Sequence, residues 1–449
     1  MAGGAWKVSQ YVVASPSLRA VPAGRRRRVL LSTRVGRPAV VSETTWLALT
    51  KQRHSDLPPE IVATLVEAGV LVPGEEDELA AVLAENLATI AGDPLLKHVI
   101  QPTAACQLGC DYCGQEHAAH HMPNDHQDAL VRRLNRHLAM RTYEALEISW
   151  FGAEPLLGLK VMRRLSPRLI ELAERHGVGY ASTIVTNGLR LTPQIALELE
   201  RIHRVRAAEV TLDGPESVHD ARRHTKNGKP SFSRILANLV ALSRTSSLRM
   251  ELSVRCNVDR RNVDGVSELI DTLRAEGLQR RVALSFAPVY SWGNDADALA
   301  LPLAEFGARE VEWFAQMHDR GYDLDLLPRR RPIVCLAVRS DGELTDAYGD
   351  VFTCTEVSYV PAYGRPNRFA IATLDDGDRH SGPQPFRRFN HEIAAGEHAQ
   401  CSACPMLPAC GGACPKQWSE GRVPCPSTKV NLPERLALWY ATRQVALAA

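Results

Sequence analysis

The stretch "KHVIQPTAACQLGCDYCGQEH" (residues 97–117) sets a short apolar run against three thiols, Cys106, Cys110 and Cys113, spaced C-x3-C-x2-C. A structural zinc site normally takes four ligands, so this triplet is one short. A metal site with a ligand missing either borrows one from elsewhere or keeps a position open for chemistry. The run before the thiols reads as a strand that delivers them at its C-terminal end.

Five further candidate strands follow: "ALEISWFG", "ASTIVTNG", "AAEVTLDG", "RMELSVRCN" and "VALSFAPV". Helical patterns separate them, among them "DALVRRLNRHLAM", "KVMRRLSPRLIELAER" and "FSRILANLVALSR". Six strands alternating with five helices over residues 95–310 predict an α/β fold, a parallel sheet forming a partial (β/α)6 TIM-like barrel. In such sheets the chemistry sits at the C-terminal strand ends. The informative residues fall there: the cysteines after the first strand, Gly152–Pro155 after the second, Asn187 after the third, Asp213 after the fourth and Asn257 after the fifth.

At 449 residues the chain is too long for one ordinary core, so two or three domains are expected. Its 53 basic and 51 acidic residues leave a net charge of +2. A nucleic-acid footprint needs a strong basic excess or stripe, so none is expected. The run "GRRRRV" (24–29) reads as a solvated turn or edge, with a peptide- or acid-binding patch as the alternative. The start "MAGGAWKVSQ" lacks the regions of a signal peptide, and no apolar run reaches the ~18 residues of a membrane span. A cytoplasmic protein with no membrane partner is expected.

Eleven cysteines in a reducing compartment point to metal or redox use rather than disulfides. Cys256 stands alone, three lie at 106–113, and seven lie beyond residue 330: Cys335, Cys354, Cys401, Cys404, Cys410, Cys414 and Cys425. Residues 328–430 predict little regular structure, held by bound metal rather than a large core; residues 431–449 predict a closing helix. Residues 1–92 predict a small winged-helix-like α+β unit, with "QYVVAS" and "RVLLSTRV" as strands and Ser42 as a helix N-cap. Such a unit can bind an extended peptide by strand addition at an open sheet edge, or can be a plain packing extension.

Three thiolates at a barrel mouth with no fourth cysteine nearby suit an iron–sulfur cluster with one iron open. Here the sequence resembles the radical S-adenosylmethionine (SAM) enzymes, whose C-x3-C-x-aromatic-C hallmark is matched by Cys106, Cys110, Tyr112 and Cys113. The resemblance implies a [4Fe–4S] cluster whose open iron is chelated by SAM, and a 5′-deoxyadenosyl radical that abstracts hydrogen. "WFGAEPLL" is similar to the family's Gly-Gly-Glu-Pro segment, which nominates Gly152, Ala153, Glu154 and Pro155, backbone and acid, for the SAM amino group. Ala153 replaces the second glycine. "VTNG" nominates Asn187 for the ribose, "TLDGPESVHDARR" resembles a Ser-x-Asp-Gly stretch with Thr211 in the serine's place, and Arg255 is nominated for the SAM carboxylate.

The carboxyl-terminal cysteines are similar to the seven-cysteine SPASM pattern, which implies two auxiliary [4Fe–4S] clusters and three clusters in all. By that resemblance Cys401, Cys404, Cys410 and Cys425 ligate the distal cluster, and Cys335, Cys354 and Cys414 the proximal one. Related chains place a fourth proximal cysteine just upstream, where this chain has the thiol-free "LLPRRRPIV". Either another residue, with Cys256 as the main protein alternative, completes that cluster, or an iron stays open. The function implied is maturation of a ribosomally made precursor peptide bearing a leader, ending in an oxidative cross-link (carbon–carbon or thioether) or related modification. An electron donor such as flavodoxin or ferredoxin is implied as a partner. Asp213 and Glu356 are the acid/base candidates. The rival readings are a sulfatase-type maturase oxidising a Cys or Ser, and a non-catalytic zinc-binding scaffold.

Overall fold

A computed structural model describes residues 6–19, 24–374 and 384–448, with side chains to residue 443. Six short strands open the chain: β1 (Trp6–Val8), β2 (Val12–Ala14), β3 (Leu18–Arg19), β4 (Arg26–Ser32), β5 (Pro38–Ser42) and β6 (Leu71–Pro73). Helices α1 (Glu43–Thr50) and α2 (Pro59–Glu67) lie between β5 and β6, and α3 (Glu78–Ala91) follows. Ser42 caps α1 by accepting the Thr45 N–H at 3.0 Å, and Gly69, at φ +66°, turns the chain out of α2 into β6. β4 carries β2 and β3 on one side and β5 on the other, all antiparallel. One face of this sheet buries Leu30 and Val41 with Leu49 and Leu65 of α1 and α2. Val29 and Leu31, on the opposite face, pack against Met406 and against Leu432 and Leu436 of the C-terminal helix Thr428–Ala448. The first ninety residues therefore share a core with the end of the chain.

The parallel strands are β7 (Leu95–Ile100), β8 (Ala145–Trp150), β9 (Gly179–Thr186), β10 (Val205–Thr211), β11 (Glu251–Val258) and β12 (Val282–Pro288). Each pairs in parallel with the next. The helices α4 (Asn124–Met140), α5 (Leu159–Arg175), α6 (Pro193–Arg201), α7 (Glu216–Arg222), α8 (Phe232–Ser243), α9 (Val266–Ala275) and α10 (Leu303–Asp319) alternate with them or follow them. Successive strand residues point to opposite faces, and β11 shows the consequence: Leu252, Val254, Cys256 and Val258 are buried toward the helices, while Arg255 and Asn257 face the lumen. Cys256, 0% exposed within the core of the barrel, faces away from the lumen. The strand alternation that makes it a core residue removes it as a ligand for any group bound there.

The expectation of little regular structure after residue 328 is corrected by the sheet. β13 (Glu343–Thr345) pairs in parallel with β7, then β14 (Asp350–Phe352) and β15 (Ala372–Thr373) continue antiparallel, giving nine strands in one sheet. "ELTDAYGDVF" is a hairpin: Gly349, at φ +88°, makes the turn, and an added Cβ would lie 2.8 Å from the His126 ring. Behind it Arg133 of α4 and Glu343 form a buried bidentate pair, both contacts 2.7 Å. These contacts fix the cysteine-rich region against the first barrel strand.

Asp346 lies in this hairpin, 2% exposed. Its Oδ1 accepts the N–H groups of Tyr348 (2.9 Å) and Asp350 (3.0 Å). Burial, then the neighbouring Asp350, push its carboxyl up to about 7. A raised carboxyl stabilises the fold fully below its unfolded value of about 4, and that contribution is lost as pH rises through about 7. Thermal melts at a series of pH values should show Asp346→Asn flattening this decline; a slope identical to the parent's would contradict the assignment.

Candidate active site

Cys106, Cys110 and Cys113 stand on the loop after β7, each partly buried. Backbone bonds pin this loop to its neighbours: Gly109 N–H donates to His224 O (2.9 Å), Lys226 N–H to Gln107 O (2.8 Å) and Glu116 N–H to Tyr359 O (2.7 Å). Between the second and third thiols, the Tyr112 hydroxyl donates to Asp213 Oδ2 at 2.5 Å. Asn257 Nδ2 donates to the same hydroxyl (3.1 Å), and Asn257 N–H donates to Asp213 Oδ1 (2.8 Å). Arg223 donates to Tyr112 as well and lies 3.8 Å from Asp213. The cysteine loop is thus anchored to the ends of β10 and β11 through one tyrosine.

Asp213 is 0% exposed and does not line the cavity. Its oxygens are occupied by the tyrosine and the asparagine, which makes this acid/base candidate an anchor of the cysteine loop. Arg223 was not singled out from sequence. It is 7% exposed and borders the cavity beside the thiols. The available signal was its place at the end of "VHDARR", on the strand-end segment already quoted. Burial pushes the Cys106 thiol up to about 11 and Cys110 up to about 12, and the Arg223 charge opposes both shifts.

Gly152 and Ala153 turn the chain after β8 with φ +76° and +46°. A Cβ on residue 152 would sit 2.2 Å from Gln101 Nε2, so glycine is required there. Ala153 carries its Cβ in the left-handed region, and its N–H donates to Gln115 Oε1 at 3.1 Å. Both residues line the cavity. The Glu154 carboxylate does not. It is 0% exposed and accepts Leu156 N–H (3.0 Å), Thr186 Oγ1 (2.6 Å) and Asn187 N–H (2.7 Å). The acid itself is therefore no cavity group; it clamps the end of β8 to the end of β9. Pro155 begins a buried 3-10 turn just behind it. Asn187, held by its own bonds to Leu189 N–H and Gln107 Nε2, places Nδ2 4.0 Å from Cys106 Sγ.

The cavity has a volume of about 300 Å³. Cys106, Cys110, Cys113 and Tyr112 bound it on one side, and Asn187, Thr211 and Arg255 on the strand ends bound it on another. Arg255 spends one bond on Asn257 Oδ1 (2.9 Å). Glu356, from the cysteine-rich region, closes the wall and accepts a bond from the adjacent Thr355 hydroxyl at 3.0 Å. Burial raises its carboxyl, opposed by Arg255 and Lys416.

The seven cysteines beyond residue 330 fall into two spatial groups. Cys335, Cys354 and Cys414 lie within electrostatic reach of one another, and Glu356 reaches Cys354 and Cys414. Cys401, Cys404, Cys410 and Cys425 converge on a small cavity, where Lys429 Nζ donates to Cys425 Sγ at 3.3 Å. Among the described residues no group of three or more His, Cys, Asp or Glu side chains is placed to hold a single metal ion. A four-iron cluster asks for less convergence, because each thiolate binds its own iron. The triplet at 106–113, three thiols beside a buried guanidinium that offsets thiolate charge, fits such a cluster.

Residues 100–247 match the radical SAM superfamily. The chain carries a radical SAM domain. A domain of that family implies SAM and a [4Fe–4S] cluster. The serine-type anaerobic sulfatase-maturating enzyme of Bacteroides thetaiotaomicron is 24% identical over 365 residues, covering 72% of this chain and 83% of that protein. The radical SAM fold is shared with the anaerobic sulfatase-maturating enzyme anSMEcpe with bound AdoMet, at TM-score 0.58 and 16% identity over 79% of this chain and 99% of that one. It is shared also with Streptococcus suis SuiB bound to precursor peptide SuiA, at TM-score 0.50 and 14% identity over 95% of this chain and 99% of that one. No helix among the described residues is long and apolar enough to cross a membrane.

Glu154→Gln places an amide N–H against a backbone or hydroxyl donor. Leaving such a buried group unsatisfied costs about 1–3 kcal/mol. The chain carrying it should melt earlier and bind SAM about tenfold more weakly, by equilibrium dialysis. Weaker SAM binding with an unchanged melt would instead mark a direct contact.

Proposed function

We propose that this radical SAM enzyme is a maturase of a ribosomally made precursor peptide. The observation that carries the reading is the shared wall of the cavity: the barrel supplies the three thiols, and the cysteine-rich region supplies Glu356 opposite them. A site built from both regions joins the radical chemistry to whatever the other cysteines hold. On this reading residues 95–310 are the radical SAM unit, 328–430 a SPASM-type unit and 1–92 a leader-recognition unit, with 431–449 the closing helix.

When bound, SAM and the cluster at Cys106, Cys110 and Cys113 supply a 5′-deoxyadenosyl radical that takes a hydrogen atom from the peptide. The Gly152–Ala153 backbone receives the SAM amino group, Asn187 and Thr211 border the ribose side, and Arg255 forks onto the carboxylate. Tyr112 keeps the thiols in place through Asp213. Glu356 accepts the proton released as the new bond forms. Cys335, Cys354 and Cys414 would hold one auxiliary [4Fe–4S] cluster, and Cys401, Cys404, Cys410 and Cys425 a second, together accepting the electron left over from an oxidative cross-link. A cytosolic flavodoxin or ferredoxin serves as the electron partner. The similarity to a serine-type sulfatase maturase supports a second reading, oxidation of one Cys or Ser in a protein. Product mass separates the two: loss of two hydrogens with a ring, against conversion to an aldehyde.

Replacing Cys106, Cys110 and Cys113 together by Ala should abolish SAM cleavage and lower iron by about a third, as one of three clusters is lost. Formation of 5′-deoxyadenosine by that variant would defeat the assignment.

A further inference from the structure

The run "GRRRRV" finds a definite place in the fold. Arg26 and Arg27 lie in β4 and Arg25 just before it. In the β3–β4 pairing Arg19 stands directly opposite Arg26. Like charges directly opposite one another oppose strand pairing. Arg19, Arg25 and Arg26 are exposed and Arg27 partly so. Among the described residues none of the four side chains has a hydrogen bond or a close ion pair. Glu43, the acid beside them, is held by Arg28 (3.0 Å) and Ser17 (3.0 Å), with Arg26 only within electrostatic reach.

The same sheet has an open edge. Among the described residues β5 pairs with β4 alone, and Val40 in its middle is 45% exposed. Arg27 stands opposite Ser42, so the cationic end of β4 lies beside the last residue of β5. A strand added outside β5 would run about 9.6 Å from β4, two interstrand spacings. An extended arginine and a facing carboxylate side chain span that gap. A solvated edge needs only a single charge to discourage wrong pairing, whereas here four cations gather at one end of the sheet, Arg25, Arg26 and Arg27 at the start of β4 and Arg19 on β3 beyond it, while Glu43 is taken up by Arg28. The patch is only two strands wide, and the rest of the chain carries balanced charge, so a duplex or a membrane surface would find no stripe to follow.

We infer that Arg19, Arg25, Arg26 and Arg27 receive an acidic segment of the precursor's leader while the adjoining leader residues add as a strand to β5. This rests on the peptide-maturase reading and adds the charge of the leader to it. Unlike plain strand addition, it makes recognition depend on salt.

The test uses the full cluster-loaded chain and a fluorescein-labelled twelve-residue peptide of alternating Thr and Glu, with its Thr–Gln analogue. Anisotropy at about 0.05 M salt should give the Glu peptide at least tenfold tighter binding, shrinking toward parity near 0.5 M. In the variant R19Q/R25Q/R26Q/R27Q the preference should fall to about one, with an unfolding midpoint unchanged or raised because the Arg19–Arg26 repulsion is gone. Arg37→Gln, removing an exposed arginine paired with Glu67 in the same unit, should keep the preference. Equal binding of both peptides overturns the acidic-leader inference and leaves strand addition standing. Binding of neither overturns both that inference and peptide recognition by this unit. A preference that survives in the fourfold variant, or tighter binding of a twelve-nucleotide single strand or phosphatidylserine vesicles than of the Glu peptide, also overturns it.

Discussion

One buried carboxylate organises the active site. Asp213 holds the Tyr112 hydroxyl, and Tyr112 sits between Cys110 and Cys113. Through that bond the position of a loop after the first barrel strand is set by the ends of the fourth and fifth. Arg223 and Asn257 complete the network, each donating to the Tyr112 hydroxyl. If the tyrosine moved, the three thiols would move with it, and the cavity between them and Arg255 would change shape. The Glu154 clamp does the same for the second and third strand ends. Two buried acids thus convert a sheet of six separate strands into one preorganised rim.

The sequence made the strand ends legible because chemistry-bearing residues recur there at the period of the βα repeat. It did not separate acids that act on a ligand from acids that act on the backbone. Glu154 and Asp213 each stand in a motif that reads as ligand-facing, and each is consumed by donors from neighbouring strands. The distant donors are Thr186 and Asn187, 32 and 33 residues from Glu154, and Asn257 and Tyr112, 44 and 101 residues from Asp213, beyond what local pattern can reveal. Cys256 was equally ambiguous until the register of β11 assigned it to the helix side. Glu356, read from nothing more than its place two residues after a cysteine, proves to line the cavity.

The cysteine-rich region was the least legible part. Its strands are two or three residues long, too short for a period to show, and they exist because β7 offers an open edge. The bidentate Arg133–Glu343 pair, 210 residues apart in sequence, secures that edge. The amino-terminal unit is tied in the same way, its sheet lying against the C-terminal helix and Met406. The amino-terminal unit, the barrel and the further cysteine groups are therefore parts of one packed body, and none can shift without disturbing a shared core.

The central claim, that three groups of cysteines hold three clusters and that one of them opens onto the SAM cavity, is tested most directly by Mössbauer spectroscopy of the anaerobically reconstituted chain. About twelve irons per chain should be in [4Fe–4S] form, and added SAM should perturb a single four-iron subset. About four irons in all, or a spectrum in which no subset responds to SAM, would contradict the account.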